Sequence, residues 1–312
     1  MGFLLMEGHT HHSIEQTKMF DISRVVLGHI SSGSQLLASM IGMPAHILSS
    51  DVIMYHTTNA PQTTEQLTAT LAIYFLAVFA VTSAVDLLVC RPLTYLLAGK
   101  GNTRKYSWFL LHALFNTIIT LVCLEDGYHA LVSPTTMAWG PNGWYGTYPS
   151  GLFGAIAIGA FHVHHFVFYP VTKEDVIHHC VNAGAVVIAG VYLPWGRTSS
   201  LSNIPMCGIP GGINYFALWL QKTTGAVSAD VQKLENRIMN IMLRLPGQIL
   251  ANYIILLGVV GSVSAPPLGA VTSALMIVGA ALHSLNALHY ADQVVGNYHV
   301  SRLKGPGKQH LS

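Results

Sequence analysis

Across 312 residues only 9% are charged while 51% are hydrophobic, and the mean hydropathy is +0.47. Soluble domains carry about 25% charged residues, so this chain lacks the charge to wet a globule of its size, and no stretch is long or polar enough for a separate soluble domain. The net charge of +2 is spread thinly and offers no basic tract for nucleic acid.

The first 24 residues read as a polar arm that includes Gly8-His9-Thr10-His11-His12. No cationic segment precedes an apolar core there, so it does not read as a secretory signal. The opening Met-Gly lacks the Ser or Thr at position six that myristoylation requires; Met6 stands there. Residues 25–66 hold an ambiguous segment, apolar at 25–27 and 36–48 but rich in Ser and Gly, followed by a loop.

A membrane-crossing helix needs about 20 mostly apolar residues. Stretches 67–90, 108–124, 151–169, 176–194, 249–263 and 268–289 qualify. Stretch 213–220 is short and follows a Gly-Pro-rich segment, so it reads as a short span or a re-entrant piece. At 231–245, Val231, Leu234, Ile238, Ile241, Met242 and Leu245 recur at helical steps, with Lys233, Glu235, Arg237 and Arg244 elsewhere on the turn. That pattern predicts an amphipathic helix lying at the membrane interface and feeding the next span through Pro246.

Alternate loops are basic. Arg91, Lys100, Arg104 and Lys105, then Lys173, then Lys222, Lys233 and Arg237, then Arg302, Lys304 and Lys308 fall on one side. The intervening loops hold only Arg197. The positive-inside rule puts the basic set in the cytosol and the aromatic loop 125–150, with Trp139 and Trp144, on the far side. The expected fold is an all-α polytopic transmembrane bundle of about seven spans, or eight if 24–50 also crosses. It comprises a transmembrane domain at 67–290 and a polar cytosolic tail at 291–312. The four cysteines, Cys90, Cys123, Cys180 and Cys207, form no CxxC and read as buried thiols.

Ionisable groups inside hydrocarbon mark functional sites, and seventeen histidines make that rule informative. His112 and Asn116 are four apart and share a helix face, as do His178 and Asn182; His283, Asn286 and His289 step by three. His162 and His165 share a face while His164 points the other way. The first span carries one carboxylate, Asp86. These groups fit neutral histidines paired between helices, a catalytic or ligand-binding centre, or a metal or haem site. The metal option suffers from spacing: His-x-His-His and a bare His-His, with no interleaved carboxylates.

Lys173-Glu174-Asp175-Val176-Ile177-His178-His179-Cys180-Val181-Asn182 resembles the TLC-domain family, which includes the ceramide synthases. Ser107-Trp108-Phe109-Leu110-Leu111-His112-Ala113 is similar to an earlier span of that family. Asn203-Ile204-Pro205 and Asn214 through Leu220 look like its later Pro-containing short helix. The resemblance covers roughly residues 67–290. It implies a TLC-like bundle in the endoplasmic reticulum or another organelle membrane. Its implied function is to bind or move an acyl lipid, with His112, Asn116, His164, Asn182, His283 and Asn286 toward the lipid. It needs no cofactor or metal.

A second implication is acyl transfer from acyl-CoA, with His178 or His179 as general base. The family's acidic cluster one span later is missing, since 194–220 holds no Asp or Glu, and this counts against catalysis. A third reading is an accessory subunit that docks other membrane subunits through its polar arm and aromatic loop.

Overall fold

The computed structural model describes residues 64–135, 149–177, 179, 184, 187, 190, 193, 195–260 and 269–303, all within one compact unit, Thr63–Ser312. The N-terminal arm, the segment at 25–63, most of the aromatic loop, His178, Asn182, Cys180 and residues beyond 303 lie outside the described residues. So does most of the 176–194 stretch.

Every regular element among the described residues is helical. Helix α1 runs from Thr64–Val85 through a wide π turn, Asp86–Cys90, into Arg91–Ala98, and stops at Gly99, whose φ of 75° suits glycine. Helix α2 is Thr103–Val132 and α3 is Pro149–Phe168. The short α4, Lys173–Ile177, starts with a reciprocal cap. Thr172 N–H donates to Asp175 Oδ2 at 2.8 Å, and Asp175 N–H donates back to Thr172 Oγ1 at 3.1 Å. Helix α5 joins Thr198–Asn203, a π turn at Ile204–Gly208, and Ile209–Thr223. Pro205 and Pro210 lie at the starts of its second and third pieces, where a missing N–H costs least. Helix α6 joins Ala229–Met239, a π turn at Asn240–Arg244 and Leu245–Val260, and α7 is Ala270–Leu303.

Among the described residues four helices are long and apolar enough to cross a membrane: Leu71–Ala98, Lys100–Val132, Ala229–Val260 and Ala270–Leu303; Phe153–Phe168 is a shorter apolar one. Burial is inverted relative to a soluble protein. Leu88, Leu96, Val260 and Val271 are more than 70% exposed, whereas Asp86, His164 and Gln248 are fully buried. Apolar side chains facing outward and polar ones facing inward suit a hydrocarbon solvent. The chain is thus a polytopic, all-α integral membrane protein.

Helix α2 is central, packing on α1, α3 and α5, while α6 and α7 pair with each other and reach back to α5. Its contact with α5 is close because a Cβ at Gly208, Gly211 or Gly212 would press into Thr120, Asn116 or Thr117, a small-residue seam that lets two backbones approach.

Helix ends alternate. Arg104 Nε donates to Phe168 O at 2.9 Å, joining the start of α2 to the end of α3. Trp219 Nε1 donates to Thr94 Oγ1 at 3.1 Å, joining the ends of α5 and α1. Arg197 pairs with Asp126 at 2.8 Å, near the other end of α2. Cysteines placed at Lys100, Lys222 and Arg302 should therefore react with an impermeant maleimide from one side of a sealed vesicle, and one at Thr135 from the other. Labelling of positions 100 and 135 from the same side overturns this arrangement.

Two expectations need correction. The amphipathic stretch at 231–245 is not a separate interfacial helix; it is continuous with 245–260 in α6. Its apolar stripe, Val231, Leu234, Ile238 and Met242, is the exposed one, while Gln232 and Asn240 are buried. Its polar face turns inward because α5 and α7 supply partners there: Gln232 Nε2 donates to Asn214 Oδ1 at 2.7 Å. The expected tail, too, is helical as far as Leu303, and Arg237 lies 5.1 Å over the Tyr298 ring.

Candidate functional site

Steps of three along α3 place His162 and His165 on one face, and that face meets the following segment. His165 Nδ1 and His179 Nε2 share a hydrogen bond of 2.8 Å. The His162 ring meets His179 edge-on at 4.2 Å, and His162 Nδ1 donates to Ile158 O at 2.6 Å. One proton therefore lies between His165 and His179, and their two nitrogens must take opposite roles. Imidazoles in this state can accept or pass a proton.

Aromatic rings wall the centre. Trp108 stacks on His165 at 3.9 Å and on Phe161 at 4.6 Å. His112, one turn along α2 from Trp108, stacks on Tyr215 of α5 at 3.7 Å and lies 5.1 Å from the Trp108 ring. Trp108 thus lies between His112 and His179, in ring contact with His112 and with His165, which is bonded to His179. His178 and Asn182 are outside the described residues.

His164 faces the other way, into a second buried centre. Asp86 Oδ2 accepts from Arg91 Nε at 3.0 Å and Nη2 at 2.7 Å. Tyr169 donates to Asp86 Oδ1 at 2.5 Å, and the Ser107 and Tyr169 hydroxyls lie 3.1 Å apart, so with the one Tyr169 O–H directed at Asp86 it is Ser107 that donates to Tyr169. His164 Nε2 is 3.7 Å from Asp86 Oδ2, and neither of its ring nitrogens has a hydrogen-bond partner. The backbone explains the ion pair. Arg91 N–H bonds to Asp86 O, an i to i+5 link that stacks the two residues, whereas in an α-helix residues five apart diverge.

His283 belongs to a third network. Ser202 Oγ lies 3.2 Å from His283 Nδ1 and accepts from Gln248 Nε2 at 2.9 Å. Asn252 Nδ2 donates to Ala280 O at 2.8 Å and Ser284 Oγ at 2.6 Å. This is mutual satisfaction between helices, the role polar side chains take in bundles. Asn286 Oδ1 is buried without a hydrogen bond. Asn116 packs its amide against Gly211 in the α2–α5 seam. Of the residues expected toward a lipid, the described ones lie beside different neighbours, His112 at Tyr215, His164 at Asp86 and His283 at Ser202.

Among the described residues no three His, Cys, Asp or Glu side chains are placed to hold a metal ion. An apolar groove of about 430 Å³ runs along the outside of the seam, lined among others by Thr117, Thr120, Gly212, Ile213, Phe216 and Ala217. It is open outward, since Ile213 and Phe216 are nearly half exposed.

Sequence reasoning missed Trp108 and Tyr215, which carry no charge to flag them. It also missed the pairing of Arg91 with Asp86, which only the wide turn creates. Comparison with protein-family models, with curated proteins and with solved structures found no match.

Proposed function

We propose that this protein binds or moves an acyl lipid in the bilayer as a TLC-like bundle of about seven spans, serving lipid homeostasis in the endoplasmic reticulum membrane. The seven spans would be α1, α2 and α3, the segment at 176–194, and α5, α6 and α7. The groove carries this reading. Its volume lies within the range of small-molecule sites, its lining is apolar, and its position along α2 and α5 lets a chain enter sideways from the bilayer. The same helix pair holds the His112–Tyr215 stack, so a chain in the groove runs along the seam that also borders the histidine centre.

The test is photocrosslinking with a diazirine-bearing fatty-acyl lipid in reconstituted vesicles. Wild-type protein should label at α2 and α5 around the groove. Ala217→Phe, which fills it, should lose most of that labelling, while Leu285→Phe on the exposed face of α7 should not. Equal labelling of all three proteins sinks the reading.

One observation favours a second reading, acyl transfer from acyl-CoA. The His165–His179 hydrogen bond would orient His179 as the general base. It would take the proton from an attacking amine or hydroxyl while the thioester carbonyl is attacked and the thiol leaves. The absence of carboxylates at 194–220 ranks it second, and docking to other membrane subunits ranks below it.

A further inference from the structure

The inward face of α6 holds charges that the protein does not pair. Both carboxylate oxygens of Glu235 are buried without a hydrogen-bond partner, as is Nε of Arg244. None of the ion pairs among the described residues includes Glu235.

Arg244 is held firmly. Its Nη1 donates to Asn240 Oδ1 at 2.8 Å, and Asn240 Nδ2 donates to Asn236 O at 2.8 Å and Oδ1 at 2.7 Å. Its guanidinium lies 5.5 Å over the Tyr290 ring of α7. The scaffold thus fixes the cation and leaves its Nε unspent, with the unspent Glu235 carboxylate near enough for each charge to act on the other. Burying a lone charge is costly, and an internal ion pair would be the ordinary remedy.

We propose that these two groups form the two poles of a site for a zwitterionic phospholipid head group, with the ammonium on Glu235 and the phosphate on Arg244. The charge pattern selects this class. A purely anionic head group meets the Glu235 carboxylate, a purely cationic one meets the Arg244 guanidinium, and a neutral glyceride leaves both unpaired. The location favours a lipid. Glu235 lies near the start of α6, at the end of the bundle that carries Lys222 and Arg302, and Arg244 lies about 13 Å further along the axis; the outer face of α6, with Val231, Ile238 and Met242, is exposed as a bilayer-facing surface would be. Arg237 Nε is also buried without a hydrogen-bond partner, but two residues along an α-helix it is turned about 200° from Glu235 and its guanidinium lies over the Tyr298 ring. The site shares no residue with the acyl groove, so the two stand or fall separately.

The experiment measures lipid retention by native mass spectrometry on the full chain in detergent. Four diacyl lipids with matched chains are compared: phosphatidylethanolamine, phosphatidylglycerol, a trimethylammonium-propane and a diacylglycerol. Wild-type protein should retain phosphatidylethanolamine about tenfold better than the other three, the weight of one charge-assisted contact. Glu235→Gln should lower phosphatidylethanolamine to the phosphatidylglycerol level without lowering phosphatidylglycerol. Arg244→Gln should lower both. Glycerophosphoethanolamine at equal concentration should not displace the lipid; if it does, the occupant is a soluble phosphoamine and the lipid assignment is wrong. Equal retention of the four lipids by wild type overturns the site with no variant needed, and an unchanged preference in Glu235→Gln overturns the role of that residue.

Discussion

Arg91→Ala should be the most damaging single change in the described core, costing about 3–5 kcal/mol of stability, because it leaves a buried charge alone. Asp86 is fully buried and accepts from both Nε and Nη2 of Arg91, so removing the guanidinium strands a carboxylate with Tyr169 as its remaining close donor. Arg91→Lys should lie between the two, since an ammonium lacks the planar fork that donates from two nitrogens. The double variant Asp86→Asn with Arg91→Met should recover most of the loss, because a neutral pair imposes no charge burial. Thermal unfolding in detergent, followed by fluorescence-detected size exclusion, gives the order. If Arg91→Ala melts like wild type, the pair contributes nothing. If the double variant is as damaged as the single, the loss comes from packing of the Arg91 stem rather than from charge.

His179→Ala distinguishes the two functional readings by orders of magnitude. In a lipid-binding protein it should cost on the order of 1 kcal/mol, the worth of one interhelical hydrogen bond, and leave acyl-lipid labelling of the groove intact. In an acyltransferase it should cut turnover by about 10²–10⁴-fold with normal insertion and purification. The assay is transfer from an acyl-CoA to a long-chain base in vesicles, with His165→Ala in parallel because it carries the other half of the hydrogen bond. We expect the first outcome. Robust wild-type transfer that His179→Ala abolishes reverses the ranking of the two readings.

The membrane character and the helix-facing pattern were legible because they depend on composition and on a fixed rotation per residue. The 100° step along α3 is enough to separate His162 and His165 from His164, and in the structure they lie in different centres. Direction was less legible. Residues 231–245 carry a clear apolar stripe, but periodicity gives the stripe without saying whether water, lipid or protein lies against it. Here the outer surroundings are the apolar ones, so the polar side faces in. Grouping polar residues by span does not show where His283 bonds, since its partner Ser202 and the neighbouring Gln248 are not titratable. The expectation for His178 and Asn182 concerns residues outside those described.

The π turns in α1, α5 and α6 have a consequence for how this chain can vary. Each closes an i to i+5 link: Arg91 to Asp86, Ile209 to Ile204, and Leu245 to Asn240. Relative to an α-helix each is equivalent to a one-residue insertion, and it turns everything downstream by about 100°. No single helical wheel describes α1 or α6, because their two ends are out of phase. Losing one residue between Asp86 and Arg91 would close the wide turn into an ordinary α turn and set the two four apart on one face, whereas losing one elsewhere in α1 would turn every residue after it by about 100°. In these helices the spacing between residues is constrained more tightly than the identity of many of the side chains they carry.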